Sequence, residues 1–136
     1  MSETIEDVPG LRVGDFPEPA GDQPMSPAEL RMVRDYLGLT GEWLAGQLGV
    51  QLRTIRRWEH GQSPVPEGVR EQMELLEGIA AEIVGGLVER LEDAADMVLT
   101  IPDGPADGYP AGWWRMVAAR VAQEVPGLYV RYDGAR

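Results

Sequence analysis

Residues 40–61, TGEWLAGQLGVQLRTIRRWEHG, read as two short helices around a tight turn. Thr40 is a suitable N-cap for the first, with Glu42 in its opening turn and Trp43, Leu44, Ala45 and Leu48 as its apolar positions. Gly49 supplies the left-handed residue that ends it, and Val50 turns inward. The second helix is expected from about Gln51 to His60, stopping at Gly61. At about 100° per residue, Leu52, Ile55, Trp58 and Glu59 share one side. Arg53, Arg57 and His60 fall opposite, flanked by Arg56 and Thr54. This helix has a wall that packs and a polar, cationic face, a geometry suited to reading another molecule.

Upstream, Ser26-Pro27-Ala28-Glu29 is a capping box with proline in the first helical position, so a helix should begin at Ser26. Leu30, Val33 and Leu37 form its apolar stripe and Gly38 ends it. Residues 1–24 are rich in Pro, Gly and acid without periodicity and are expected to be a disordered leader. Downstream, Gln62-Ser63-Pro64-Val65-Pro66 is a short stiff link. A long helix follows from Glu67 to about Ala94, with Val69, Met73, Leu76, Ala80, Ile83, Leu87 and Leu91 close to a heptad seam. Gly78 and the Gly85-Gly86 pair weaken its interior and suggest a kink or a close helix crossing. Residues 97–101 read as a strand, Trp113 to Val125 as a helix, and Leu128 to Tyr132 as a final strand. A strand–helix–strand tail this short buries little alone, so it should pack on the long helix and on a second subunit. Leu99, Trp113, Trp114, Val117 and Tyr129 are its candidate dimer contacts.

The fold class is therefore mainly α, with a small C-terminal β-α-β part. Three segments are expected: the leader 1–24, a helical unit 25–94 and the tail 95–136. The chain has 136 residues, no cysteine and one histidine, His60, which leaves no disulfide and no thiolate metal site. No nucleophile–base pair, metal constellation or phosphate-cradling glycine loop stands out, so the sequence argues against an enzyme and calls for no cofactor. No apolar run reaches the roughly 18 residues of a membrane span, and the N-terminus lacks a signal peptide. The protein is expected to be cytoplasmic. Net charge is −11, unusual for a partner of nucleic acid, but it is unevenly spread. Residues 66–100 carry nine acids and two Arg, whereas residues 25–65 carry five Arg and four acids. The only cationic balance surrounds the second helix of the opening stretch.

The pattern L-A-x-x-L-G-V-x-x-x-T-I-x-x-W-E-x-G resembles the helix-turn-helix of the phage-repressor (Cro, or xenobiotic-response-element type) superfamily. Ala45, Gly49, Val50, Ile55 and Trp58-Glu59-x-Gly61 carry the likeness. It implies that an arginine of the preceding helix pairs with the glutamate, and Arg34 stands at the matching distance from Glu59. Two positions depart from it: Gly41 replaces a frequent phosphate-touching Gln, and Gln51 replaces a capping Ser or Thr. Both should weaken backbone anchoring without abolishing the fold. Ser63, Val65-Pro66-Glu67, Val69, Met73, Leu75, Gly112-Trp113-Trp114-Arg115 and Tyr129 extend the resemblance to anti-CRISPR-associated autorepressors and their YdiL-like chromosomal relatives, with a shorter Pro102–Pro110 segment here. The resemblance implies a homodimer whose helix-turn-helix reads an inverted repeat in double-stranded DNA.

Arg53 and Arg57 are the candidates for base edges, since arginine suits guanine O6 and N7. Arg56 and Thr54 flank them. Thr40, His60, Gln62 and Ser63 are candidates for positioning the frame on the backbone, and Gln51 is a further DNA-binding candidate at the start of the helix. The plainer reading, a merely solvated face, has to accommodate three mutually repelling arginines without acids beside them. An antitoxin, with the same DNA-binding half and an acidic surface for a toxin, is the alternative function. RNA is a further partner the arginine surface admits.

Overall fold

The computed structural model describes residues 8–14 and 24–134, and the expectation of a disordered leader falls largely outside them. The first helix, α1 (Pro27–Tyr36), opens with the capping box: Ser26 Oγ accepts from the Glu29 N–H at 3.0 Å, and Glu29 Oε1 accepts from the Ser26 N–H at 2.9 Å. Helix α2 (Gly41–Leu48) is capped by Thr40, whose Oγ1 accepts from the Trp43 N–H at 3.0 Å. Gly49, at φ 72°, reverses the chain so that the Val50 N–H reaches the Ala45 carbonyl at 2.9 Å. Helix α3 (Leu52–Glu59) follows, and its end is closed by Gln62 N–H to the Arg57 carbonyl. Leu30, Leu37, Leu44 and Ile55 are fully buried where these three helices meet.

Helix α4 (Glu67–Glu92) runs unbroken for 26 residues and packs on both α1 and α5. Its buried stripe is Val69, Met73, Leu76, Ala80, Val84 and Leu91. The heptad reading is corrected at two positions of the second half, where Ile83 and Leu87 are only half-buried and Val84 is buried in their place, while Leu91 is buried as expected. A straight helix drifts about 20° per heptad from a strict seven-residue repeat, so a seam facing a single partner slides around it. Among the described residues nothing approaches the open sides of Gly78, Gly85 or Gly86, so these glycines mark no close crossing there.

The tail comprises β1 (Val98–Ile101), α5 (Ala111–Glu124) and β2 (Tyr129–Tyr132), with the strands parallel and Val98 opposite Tyr129. Leu99 and Ile101 face α5 and are buried, as are Trp113, Val117 and Val121. They join the residues of α1 to α4 in one hydrophobic core. Leu99, Trp113 and Val117, expected at a dimer interface, are thus core residues of the single chain with almost no surface to offer a partner. Of the five candidates, Trp114 is half-buried and only Tyr129 is exposed. Among the described residues, no helix is long and apolar enough to cross a membrane.

Candidate nucleic-acid interface

The candidate site is built on α3, and α1 fixes that helix in place. Arg34 reaches from α1 with a two-pronged grip: Nε donates to Glu59 Oε2 at 2.7 Å and Nη2 to Glu59 Oε1 at 2.9 Å. Its remaining nitrogen, Nη1, donates to the Leu39 carbonyl at 3.0 Å, which ties the loop before α2 to the same centre. Both side chains are largely sequestered, and the hydrogen bonds that Arg34 donates to Glu59 raise its pKa against the opposing effect of burial. The pairing expected from the sequence is present. Ile55 and Trp58 fill the core beside it.

With its inner wall locked, α3 presents Arg53, Arg56, Arg57 and His60 outward, all exposed, within an arc of about 100° by helical geometry. No described residue forms an ion pair or hydrogen bond with the three guanidinium groups, while Glu59, the nearest acid in sequence, is taken by Arg34. His60 is held to its own helix, with Nδ1 2.7 Å from the Arg56 carbonyl. Thr54 is half-buried at the edge of the face. Gln51 stands at the start of α3 without making a side-chain cap, so the first-turn N–H groups lack an acceptor from that side chain. Thr40 is exposed at the start of α2, with its hydroxyl occupied by capping. Gln62 and Ser63 follow α3, Gln62 exposed and Ser63 half-buried. The candidate residues therefore fall on three adjacent segments: the α2 N-terminus, the α3 face and the loop after it. Among the described residues, no group of His, Asp or Glu side chains is arranged to hold a metal ion.

A second feature of the region was not foreseen. Residues 106–109 form a tight turn in which Ala106 and Tyr109 exchange both backbone hydrogen bonds at 3.0 Å, with Asp107 at φ 54° and Gly108 at φ 86°. Both central residues have positive φ, as a primed hairpin turn demands. The turn carries Tyr109 into a stack between Trp43 of α2, at 5.5 Å, and Trp113 of α5, at 4.1 Å. Trp43 Nε1 donates to the Gly108 carbonyl at 2.7 Å, and Trp114 Nε1 to the Ala106 carbonyl at 3.0 Å. Beside this seam the backbones of Gly38 and Gly112 touch: a methyl at Gly112 would sit 2.5 Å from the Gly38 carbonyl oxygen. The tail thereby grips α2, one of the three segments bearing the candidate residues. The Asp107-Gly108 dipeptide was the sequence signal for the turn, whereas nothing local announced where Tyr109 would dock.

No protein-family model matches this chain, and no curated protein is similar to it in sequence.

Proposed function

We propose that the protein is a dimeric, sequence-specific DNA-binding regulator, a repressor of its own operon, with α3 entering the major groove as the second helix of a helix-turn-helix. One observation carries this reading. In a chain of net charge −11, three arginines stand together on an exposed helical face with no acid partner among the described residues, above a wall fixed by a largely sequestered ion pair. Unpaired like charges held at close spacing repel one another, and an anionic partner removes that penalty. Arg53 and Arg57 read base edges, Arg56 supports them or clamps phosphate, and Thr40, Gln51, His60, Gln62 and Ser63 position the frame. The few basic residues set a modest affinity with strong salt dependence. Arg53→Ala is expected to abolish preference for the cognate site, leaving folding unchanged. Equal affinity of the variant and the parent for that site would overturn the assignment of this face.

A second reading, an antitoxin, has an observation in its favour. Leu75 and Ile79 are exposed on α4 among Glu71, Glu74 and Glu82, an apolar spot in an acidic frame suited to a basic protein. Co-purification of a basic partner that shields Leu75 would support it.

A further inference from the structure

The two-stranded sheet of the tail leaves the outer edge of β2 without a neighbouring strand among the described residues. The inward residues of β1, Leu99 and Ile101, are buried, but Val130 of β2 is only half-buried. Beside β2 lies a groove of about 690 Å³, walled by Ala118, Ala119 and Ala122 of α5 and by Val130, with Arg115 and Arg131 on its rim. Small side chains on the helix leave room for a further backbone next to the strand. Neither arginine pairs with an acid among the described residues.

Backbone direction adds a second constraint. Tyr129 N–H bonds to the Met97 carbonyl at 2.9 Å and Asp133 N–H to the Ile101 carbonyl at 2.9 Å. In a parallel ladder alternate residues direct both backbone groups to the same neighbour, so Tyr129, Arg131 and Asp133 serve β1. The N–H and C=O of Val130 then point to the open edge and into the groove. An unpaired edge of this kind is a template for another strand.

We propose that the occupant is β2 of a second copy, added antiparallel with Val130 opposite its own equivalent across a two-fold axis. A two-fold pair through this edge is centred on one of the four residues of β2, 129 to 132, and centring on Tyr129 sets Arg131 opposite Gly127, beyond the strand. Centring on Arg131 sets two like charges face to face. Centring on residue 132 shifts Tyr129 off the paired stretch. Centring on Val130 sets Tyr129 of each copy directly opposite Arg131 of the other, twice per dimer, in the closer, non-hydrogen-bonded type of pair. Tyr129 is 63% exposed in the single chain, the most exposed aromatic residue of the tail, and a guanidinium over its ring is an attractive contact. The strand thus supplies its own complement, and a continuous four-stranded sheet results. The biological sense of this interface rests on the reading of the chain as a two-fold DNA-binding regulator, but its geometry does not.

The absence of native cysteine makes the register directly readable. In the full chain, Val130→Cys is expected to form a disulfide-linked dimer under mild oxidation, because residues facing each other across antiparallel strands fall within disulfide range. Arg131→Cys should cross-link at least tenfold more slowly. Sedimentation should show Tyr129→Ala and Arg131→Glu weakening the dimer at least tenfold, with monomer unfolding little changed. A Val130→Cys chain that stays uncross-linked, or faster linkage through position 131, would overturn the proposal. So would an unweakened dimer in Tyr129→Ala, or a monomer that instead binds an acidic peptide through Arg115 and Arg131. A cross-linked dimer without DNA specificity would sink the regulator reading alone. Specific DNA binding by chains that never cross-link would sink this interface alone.

Discussion

Between Ser26 and Gly61, α1 and α2 each open on a side chain bonded three residues ahead, and each closes on a glycine in the left-handed conformation. Between Met97 and Tyr132 the decisive contacts reach far back along the chain, 65 positions in the case of Trp43 and Gly108. The first region takes most of its shape from residues a few positions away, and its outer face carries three arginines with no partner among the described residues. The second depends on a backbone crossing, an aromatic stack and, in our proposal, another copy of itself. Local closure frees a surface for recognition, while long-range docking spends its surface on assembly. The two are coupled at α2, which belongs to the first region and is gripped by the second.

The sharpest way to break this contrast is at the one long-range bond inside the first region. Arg34→Ala leaves the Glu59 carboxylate buried without its partner and should cost about 3–5 kcal/mol in chemical denaturation. A loss below about 1 kcal/mol would show that α3 is not held by this pair. Next in size is the backbone crossing. Gly112→Ala forces a methyl against the Gly38 carbonyl and should cost roughly 1–3 kcal/mol. Its near-ultraviolet dichroism from the Tyr109 stack should fall while the helical signal persists. Unchanged dichroism would mean that the stack does not need the crossing.

Trp43→Phe probes the seam more gently. It keeps a ring against Tyr109 and deletes the donor to the Gly108 carbonyl, for a loss of about 1 kcal/mol. Smallest is the capping box, where the effect is read through pH. The backbone hydrogen bond from Ser26, helped by the Arg70 charge, holds the Glu29 carboxyl below its ordinary value of 4.5. A carboxyl depressed in the fold stabilises it above that ordinary value, and the benefit fades as pH falls through the lower folded value. The stability gap between the parent and Glu29→Gln should therefore be present at neutral pH and close in acid below about 4.5. A gap independent of pH would remove the charge from the explanation.

The same contrast accounts for what the sequence disclosed. Ser26, Thr40, Gly49 and Gly61 speak through bonds to residues a few positions away, so helix ends in the first region could be read directly. Arg34 and Glu59 were legible only through a resemblance, because 25 positions separate them. On α4 the expected seam holds at Val69, Met73, Leu76, Ala80 and Leu91 and departs at Ile83 and Leu87, where Val84 turns inward instead, since spacing alone does not say which neighbour the helix meets. Trp113 and Val117 read as dimer contacts in the sequence because a strand–helix–strand tail this short buries little alone. The Tyr109 stack and the contact of Gly38 with Gly112 supplied the missing walls, and no local pattern encodes either. The arginine face was visible as composition, and the structure added that its charges have no partner among the described residues.

The central claim is that the arginine face of α3 reads DNA. The most direct test is titration of the full chain against its own upstream DNA beside an unrelated duplex, across a range of salt. The expected result is a clear preference for the inverted repeat at modest affinity, with two chains per repeat, half-sites about 34 Å apart, a steep salt slope and loss of preference on Arg53→Ala. Equal, weak binding to both duplexes at low salt, unaffected by Arg53→Ala, would contradict it.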